Sequence, residues 1–493
     1  METLPRFVLY EICRRLNKDD VCDLSITCKN LHEKIIRYIN DYLYYIIDHR
    51  RVNGIKIRRI FPEKILAKKI IIRNPIIDLN SIDPTHLIID CKQPIELNHL
   101  KNLTHLIFNS FSDQIICSKS LTHLEIRYNH SVHLILENLT NLTFGDKFNQ
   151  KISVRYLPRL KVLTFGKNFN CSLELNADLE VLTFGNKFNQ PLELNANLKT
   201  LHLGKEFDKP LNLNKNLKVL TLGIMFNQPL KLNSSLIYLS FNGHFNHEFE
   251  TENLIRLELG CSFNRPLVLN STLTDLTLSD YFDENLILNS SLLRLDLGFK
   301  FNRQINLNEG LTYLRLSLTF NQPLILPQSL TELHVRGDFN QQIDLPKNLI
   351  KLSLLGSFNQ QLILPHGLKE LFLGNMFNQQ INLPSNLIEL EFGDCFNQPL
   401  ILNQKKLTSL IIGDRFNSFL DLNLPNLRIL RIGDGFNQEL DLKDVLNLEH
   451  LQIGSKFNRK ISIKQLTKLE SLELNDDYPH LFEEDDFHFN SYF

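Results

Sequence analysis

The amino-acid sequence predicts a repeat solenoid, a stack of coils of about 19 residues with two short strands each, preceded by a small α-helical unit. Three observations predict it. A Phe-Asn or Phe-Asp pair recurs with Phe at 148, 169, 188, 207, 226, 245, 263, 282, 301, 320, 339, 358, 377, 396, 416, 436 and 457, seventeen copies at intervals of 18 to 21 residues, most of them 19. Within one copy the pairs Leu333/Val335 and Ile343/Leu345 alternate with polar residues, the period of a half-buried strand. The first forty residues carry apolar positions at helical spacing instead.

Taken in chain order, residues 1–45 form the helical unit. Leu4, Val8, Leu9, Ile12 and Leu16 make an apolar stripe behind Pro5, a residue suited to a helix start. Asn17 to Asp20 read as a turn with an N-cap, and Val21, Leu24, Cys28 and Leu31 continue the stripe on a second helix. The order L-P-x-x-V-L-x-x-I-x-x-x-L-x-x-x-D-V-x-x-L-x-x-x-C-K over residues 4–29 resembles an F-box, with Leu31 where many members carry Trp. The resemblance implies that Leu4, Pro5, Val8, Leu9, Ile12, Leu16, Val21, Leu24, Cys28 and Leu31 dock the adaptor subunit of an SCF-type cullin-RING ubiquitin ligase. An apolar stripe that merely caps the solenoid is the alternative.

Residues 46–83 read as a basic helical connector. A helix is expected over Ile36 to Ile47, followed by Arg50, Arg51, Lys56, Arg58, Arg59, Lys64, Lys68, Lys69 and Arg73 among interleaved isoleucines. That mixture favours an amphipathic element with a solvated basic face over a nucleic-acid patch.

The solenoid is expected over residues 84–475. In the copy starting at Leu330, the residues Leu330, Leu333, Val335, Phe339, Ile343 and Leu345 point inward. Burying each is worth roughly 1.5–3 kcal/mol before chain entropy is subtracted. One coil cannot enclose that face, so coils must stack and the Phe residues form a spine. The residue after Phe is Asn in fifteen copies and Asp in two, Asp208 and Asp283. A catalytic Asn would be needed once, whereas a ladder tying each turn to the next needs one per coil. Asn149, Asn170, Asn189, Asn227, Asn302, Asn321, Asn340, Asn359, Asn378 and Asn397 are therefore assigned to a structural ladder.

Gly stands three residues before Phe in twelve copies, as at Gly145 and Gly374, which calls for positive φ or close backbone approach. Pro191, Pro210, Pro229, Pro266, Pro323 and Pro399 open the second strand, where a missing N–H is tolerated. The segment L-x-x-L-x-L matches the strand half of a leucine-rich repeat. The 19-residue copy with F-N-Q-P-L resembles the FNIP repeat, a leucine-rich-repeat-like unit, over about residues 139–474. An F-box followed by FNIP repeats resembles proteins known mainly from amoebae and the large DNA viruses that infect them. That resemblance implies a substrate receptor: the F-box binds the adaptor and, through it, a cullin, while the solenoid holds a target protein.

Residues that do not repeat are where specificity is expected. The third and fifth positions of L-x-x-L-x-L face outward, and early coils carry a Thr series at Thr143, Thr164 and Thr183. Later coils place Tyr238, Tyr313 and Phe372 among Arg256, Arg294, Asp296, Arg315, Glu332 and His334, the aromatic-and-charged composition of a protein-binding surface. His86, His105 and His123 occupy the third position of three successive coils. They form a line rather than a convergent set, so no metal ligand is assigned, although such a line could respond to pH. Residues 476–493 read as an acidic cap or tail, with Tyr478, Leu481 and Phe482 placed to cover the last coil.

Composition narrows the remaining classes. With 54 Lys plus Arg against 55 Asp plus Glu there is no global field to attract nucleic acid or a membrane surface. Eight scattered cysteines without a C-x-x-C pair suggest reduced thiols in a cytoplasmic or nuclear compartment. The N-terminus does not read as a signal peptide, and no apolar run reaches about 18 residues. No nucleophile elbow, metalloprotease motif or phosphate-binding glycine loop occurs, so neither enzymatic activity nor a cofactor is expected. A protein-interaction scaffold with no ligase is the alternative function.

Overall fold

Alternation of buried leucine with outward polar residues starts each coil with a strand, and strands of successive coils pair in parallel. The computed structural model describes residues 45–47, 69–72, 84–90, 96–109, 116–130, 134, 136–475 and 478. It divides into two units, Met1–Leu236 and Ile237–Phe493. In the first unit, ten such strands run from Tyr45–Ile47 and Lys69–Ile72 through His86–Ile89 to Val219–Leu222. In the second, thirteen run from Tyr238–Phe241 to Ser471–Glu473. Register follows the repeat, with Leu163 opposite Leu182 and Leu314 opposite Leu333. Leucine therefore recurs along the central inward-facing column.

The Phe residues form the expected spine. Phe301, Phe320 and Phe339 are 0% exposed. In the second unit successive rings of the Phe-Asn series stack 5.7–6.5 Å apart. That spacing exceeds the roughly 4.8 Å between paired strands. Coils therefore fan apart on the side away from the sheet.

Fanning corrects one expectation, that of two strands in every coil. Among the described residues the second apolar run pairs as a strand in three places only: Glu96–Leu97 with Ile116–Cys117, Ile152–Ser153 with Leu173–Glu174, and Leu400–Leu402 with Leu420–Leu422. Elsewhere its apolar side chains still pack inward, as Leu324 and Ile343 do. Its backbone is spread too widely for a regular ladder.

The basic connector needs a second correction. Tyr45–Ile47 is a strand, not the end of a helix, and Lys69–Ile72 pairs with both Tyr45–Ile47 and His86–Ile89. The parallel ladder thus reaches upstream of residue 84. Its isoleucines are β-branched, a property that favours a pleated surface over helix and outweighs the helical reading of their spacing. The F-box positions Leu4 to Leu31 lie outside the described residues, as do Leu481 and Phe482. Tyr478 is described, and its ring stacks 6.0 Å from Phe457 while its hydroxyl donates to the Arg459 carbonyl at 2.7 Å.

Close approach, rather than positive φ, explains most of the glycines before Phe. Of the twelve, only Gly298 has positive φ; Gly337 and Gly356, which also have it, stand two residues before Phe. A Cβ at Gly204 would lie 1.9 Å from the Gly185 carbonyl oxygen. Gly204→Ala should therefore push two coils apart and lower stability by about 1–3 kcal/mol, read as a lower urea midpoint. A midpoint equal to that of the unaltered chain would remove this explanation. Where the same position holds Ser279 or Ser317, the buried hydroxyl donates to the Phe263 or Phe301 carbonyl of the coil before.

Candidate functional site

Strand alternation decides which side chains are available for binding. Leu295, Leu314 and Leu333 turn into the core, so the residues on either side of each project from the sheet. Register aligns Arg294, Tyr313 and Glu332 in one column and Asp296, Arg315 and His334 in the next. Six residues far apart in sequence become one patch on three rungs.

The patch is organised by contacts between rungs. The Arg294 guanidinium lies 3.9 Å from the centre of the Tyr313 ring and 3.7 Å from the Asp275 carboxylate. Arg315 forms an ion pair with Asp296, and His334 lies 3.6 Å from Glu332. The Tyr313 and His334 ring centres are 5.4 Å apart. Burial holds the His334 pKa below its ordinary value, outweighing the opposing effect of Glu332. The imidazole is therefore neutral at pH 7 and offers hydrogen bonding rather than charge. Asp280 is shifted the other way, raised by burial and by Asp296 beside it.

The remaining surface residues lie in two further groups. The Tyr238 hydroxyl donates to Glu258 at 2.9 Å, and Arg256 donates to the same carboxylate at 2.9 Å while lying 5.5 Å from the Tyr238 ring. The strand Asp275–Thr277 separates this group from the patch. Phe372 stands beyond the strand Lys351–Leu354, with the Lys351 ammonium 5.3 Å from its ring and paired with Glu370. Glu258, Asp275, Lys351 and Glu370 fall at the outward third and fifth positions in the sequence but were not chosen there as binding-surface residues. Their signal was alternation of charge down one column, Arg256, Asp275, Arg294 and then Glu332, Lys351, Glu370.

The Asn series performs a different task. Within each unit an Asn Oδ1 accepts the backbone N–H of the next coil's residue after Phe, as from Asn170 to Asn149, Asn321 to Asn302, Asn340 to Asn321 and Asn397 to Asn378, at 2.8–3.0 Å. Asp208 and Asp283 accept in the same way, from Asn227 and Asn302. Only the oxygen is needed in this ladder, which explains why Asp substitutes for Asn.

His86, His105 and His123 line a cavity of about 230 Å³ together with Glu125 and Asn141. Their rings stack at 4.1 Å, within 12° of parallel. Parallel rings have parallel in-plane lone pairs, so a single ion could not be shared between them as they stand. Among the described residues no three His, Cys, Asp or Glu side chains are arranged to hold a metal ion. Rows of contacts along a sheet, rather than a closed pocket, are what this chain presents to a ligand.

Similarity to known proteins agrees with the geometry. The FNIP Repeat family model matches residues 128–168, 320–354, 339–376 and 377–404. The crystal structure of CroV588, described as a novel circular LRR protein, is 31% identical, with 83% of this chain and 75% of that one covered and a TM-score of 0.61. The chain belongs to the FNIP-repeat family of leucine-rich-repeat proteins. YopM from Yersinia enterocolitica WA-314 is 18% identical over 78% of this chain and 91% of that one, with a TM-score of 0.46. The chain in the TLR13–ssRNA13 complex is also 18% identical, over 82% and 73%, with a TM-score of 0.47. No curated protein matches the chain.

Proposed function

We propose that the protein is a receptor for another protein, which it captures on the strand face of its second unit. The observation that carries this reading is the patch of Arg294, Asp296, Tyr313, Arg315, Glu332 and His334. An aromatic ring there is held among charges of both signs, with Arg294 paired to Asp275 and Arg315 to Asp296. Because the charges neutralise one another, such a face selects by pattern rather than by net field. Tyr and Arg are also the side chains that most often dominate binding energy at protein interfaces.

The finer reading is a substrate receptor of an SCF-type ubiquitin ligase, with the target on the solenoid and the adaptor on residues 4–31. Its support is the F-box resemblance of Leu4, Pro5, Val8, Leu9, Ile12, Leu16, Val21, Leu24, Cys28 and Leu31. Two measurements separate the parts. Purified adaptor titrated into the full chain should bind, and the Leu9→Asp/Ile12→Asp variant should lose that binding. An adaptor that ignores the unaltered chain removes the ligase and leaves an interaction scaffold. Independently, Tyr313→Ala/Arg315→Ala should weaken capture of the target at least about tenfold, as expected of central interface residues. Ile363→Ala, at a side chain 91% exposed on the second apolar run, should leave capture unchanged. Equal capture by both variants would move the binding surface elsewhere.

A further inference from the structure

The three stacked histidines of the first unit serve neither the spine nor the proposed surface. Each ring is fixed by the threonine before it: Thr85, Thr104 and Thr122 hydroxyls lie 2.9 Å from the Nδ1 of His86, His105 and His123. The Thr104 and Thr122 hydroxyls also lie 3.1 Å from the carbonyls of Thr85 and Thr104, which ties each ring to the coil before it. One nitrogen of each ring is thus occupied by its threonine. A second proton on a ring would create an imidazolium face to face with its neighbour at 4.1 Å.

Around His105 and His123 the described charges do little to absorb that proton. On the strand of His123, Glu125 shares the cavity but is ion-paired with Arg127 at 2.6 Å. The preceding strand places Lys69 at the rung of His86, and the following strand contributes Asn141 and Thr143, which are neutral. Because a solenoid coil contacts only its neighbours, loosening here remains local.

We propose that the His86–His105–His123 stack is an acid-sensitive clasp that holds the strands His86–Ile89, His105–Phe108 and His123–Ile126 together while its rings are neutral and releases them when the rings are protonated. Linkage gives the direction. Burial, followed by repulsion from His123 and His86, lowers the His105 pKa from 6.5 to about 4, and burial lowers that of His123. Between these limits the unfolded segment binds more protons than the folded one, so stability rises with pH. The clasp is fully closed above about pH 6.5 and weakens as the pH falls toward 4.

Hydrogen exchange of the full chain at pH 7.5 and pH 5.0, corrected for intrinsic exchange rates, tests this. Backbone amides of residues 86–126 should lose at least tenfold protection at pH 5.0, while the strands from Glu332 to Phe392 keep theirs. In His105→Asn/His123→Asn that loss should vanish. Asn suits the position, since Asn141 on the next rung accepts from Thr140 Oγ1 at 2.8 Å. If the double variant lacks protection at pH 7.5, His105→Asn alone is read against the same standard. Undiminished protection of the unaltered chain at pH 5.0, or the same loss in the variants, would overturn the clasp.

Discussion

Phe320→Ala should lower the stability of the second unit by about 3–5 kcal/mol, the range for truncating a buried aromatic ring. The ring is 0% exposed and stacks on Phe301 at 6.3 Å and Phe339 at 6.1 Å, so its removal opens a hole between two coils. Neither neighbour can collapse into the space without giving up its own stacking. Phe419→Ala removes a phenyl group that is 61% exposed and should change stability by less than about 0.5 kcal/mol. Urea unfolding followed by circular dichroism checks both. A Phe320 variant as stable as the Phe419 variant would show that the repeated phenylalanine is not the spine.

Asn359→Ala should destabilise by about 1–3 kcal/mol, because it leaves a part-buried backbone N–H without an acceptor. The Asn359 Oδ1 accepts from Asn378 N at 2.8 Å and from Gln379 Nε2 at 3.2 Å, while Asn359 N donates to Asn340 Oδ1 at 2.8 Å. Asn359→Asp keeps the accepting oxygen and should retain most of the stability, as Asp208 and Asp283 do in their own coils. The contrast between the two substitutions is the informative result. Equal losses would mean that the amide nitrogen, not the oxygen, is essential.

Much of this architecture was legible because repetition multiplies a weak signal. One Leu-x-Leu run is ambiguous, but an apolar alternation beside the repeated Phe in seventeen copies is not. The second strand was misread because period-two alternation reports which side chains face inward, not how far apart adjacent backbones lie. Fanning of the coils sets that distance. Near the N-terminus, isoleucine spacing fitted a helix, and pairing of Lys69–Ile72 with His86–Ile89 decided otherwise.

A second asparagine series also went unread. Asn195, Asn214, Asn289 and Asn308 follow Phe by seven residues, and each donates its Nδ2 to a carbonyl of the preceding coil. Later coils hold Pro327, Pro346 and Pro365 there, which lack that side-chain donor but keep the backbone bond of the turn, the Pro327 carbonyl accepting from Leu330 at 3.2 Å as that of Asn308 accepts from Leu311. Two solutions to one turn therefore coexist, and a search for a single consensus hides both. The surface was legible by column but not by contact: Tyr313 could be placed among charges, whereas the stacking of Arg294 on its ring required coordinates.

Residues that repeat build the solenoid, and the proposal is that residues that do not repeat recognise a partner. The most direct test installs a photo-crosslinking phenylalanine at position 313 or at position 363, both in the second unit, and irradiates the full chain with its captured target. A target adduct from position 313 and none from position 363 is the expected result. Adducts from position 363 alone would contradict the assignment of binding to the strand face.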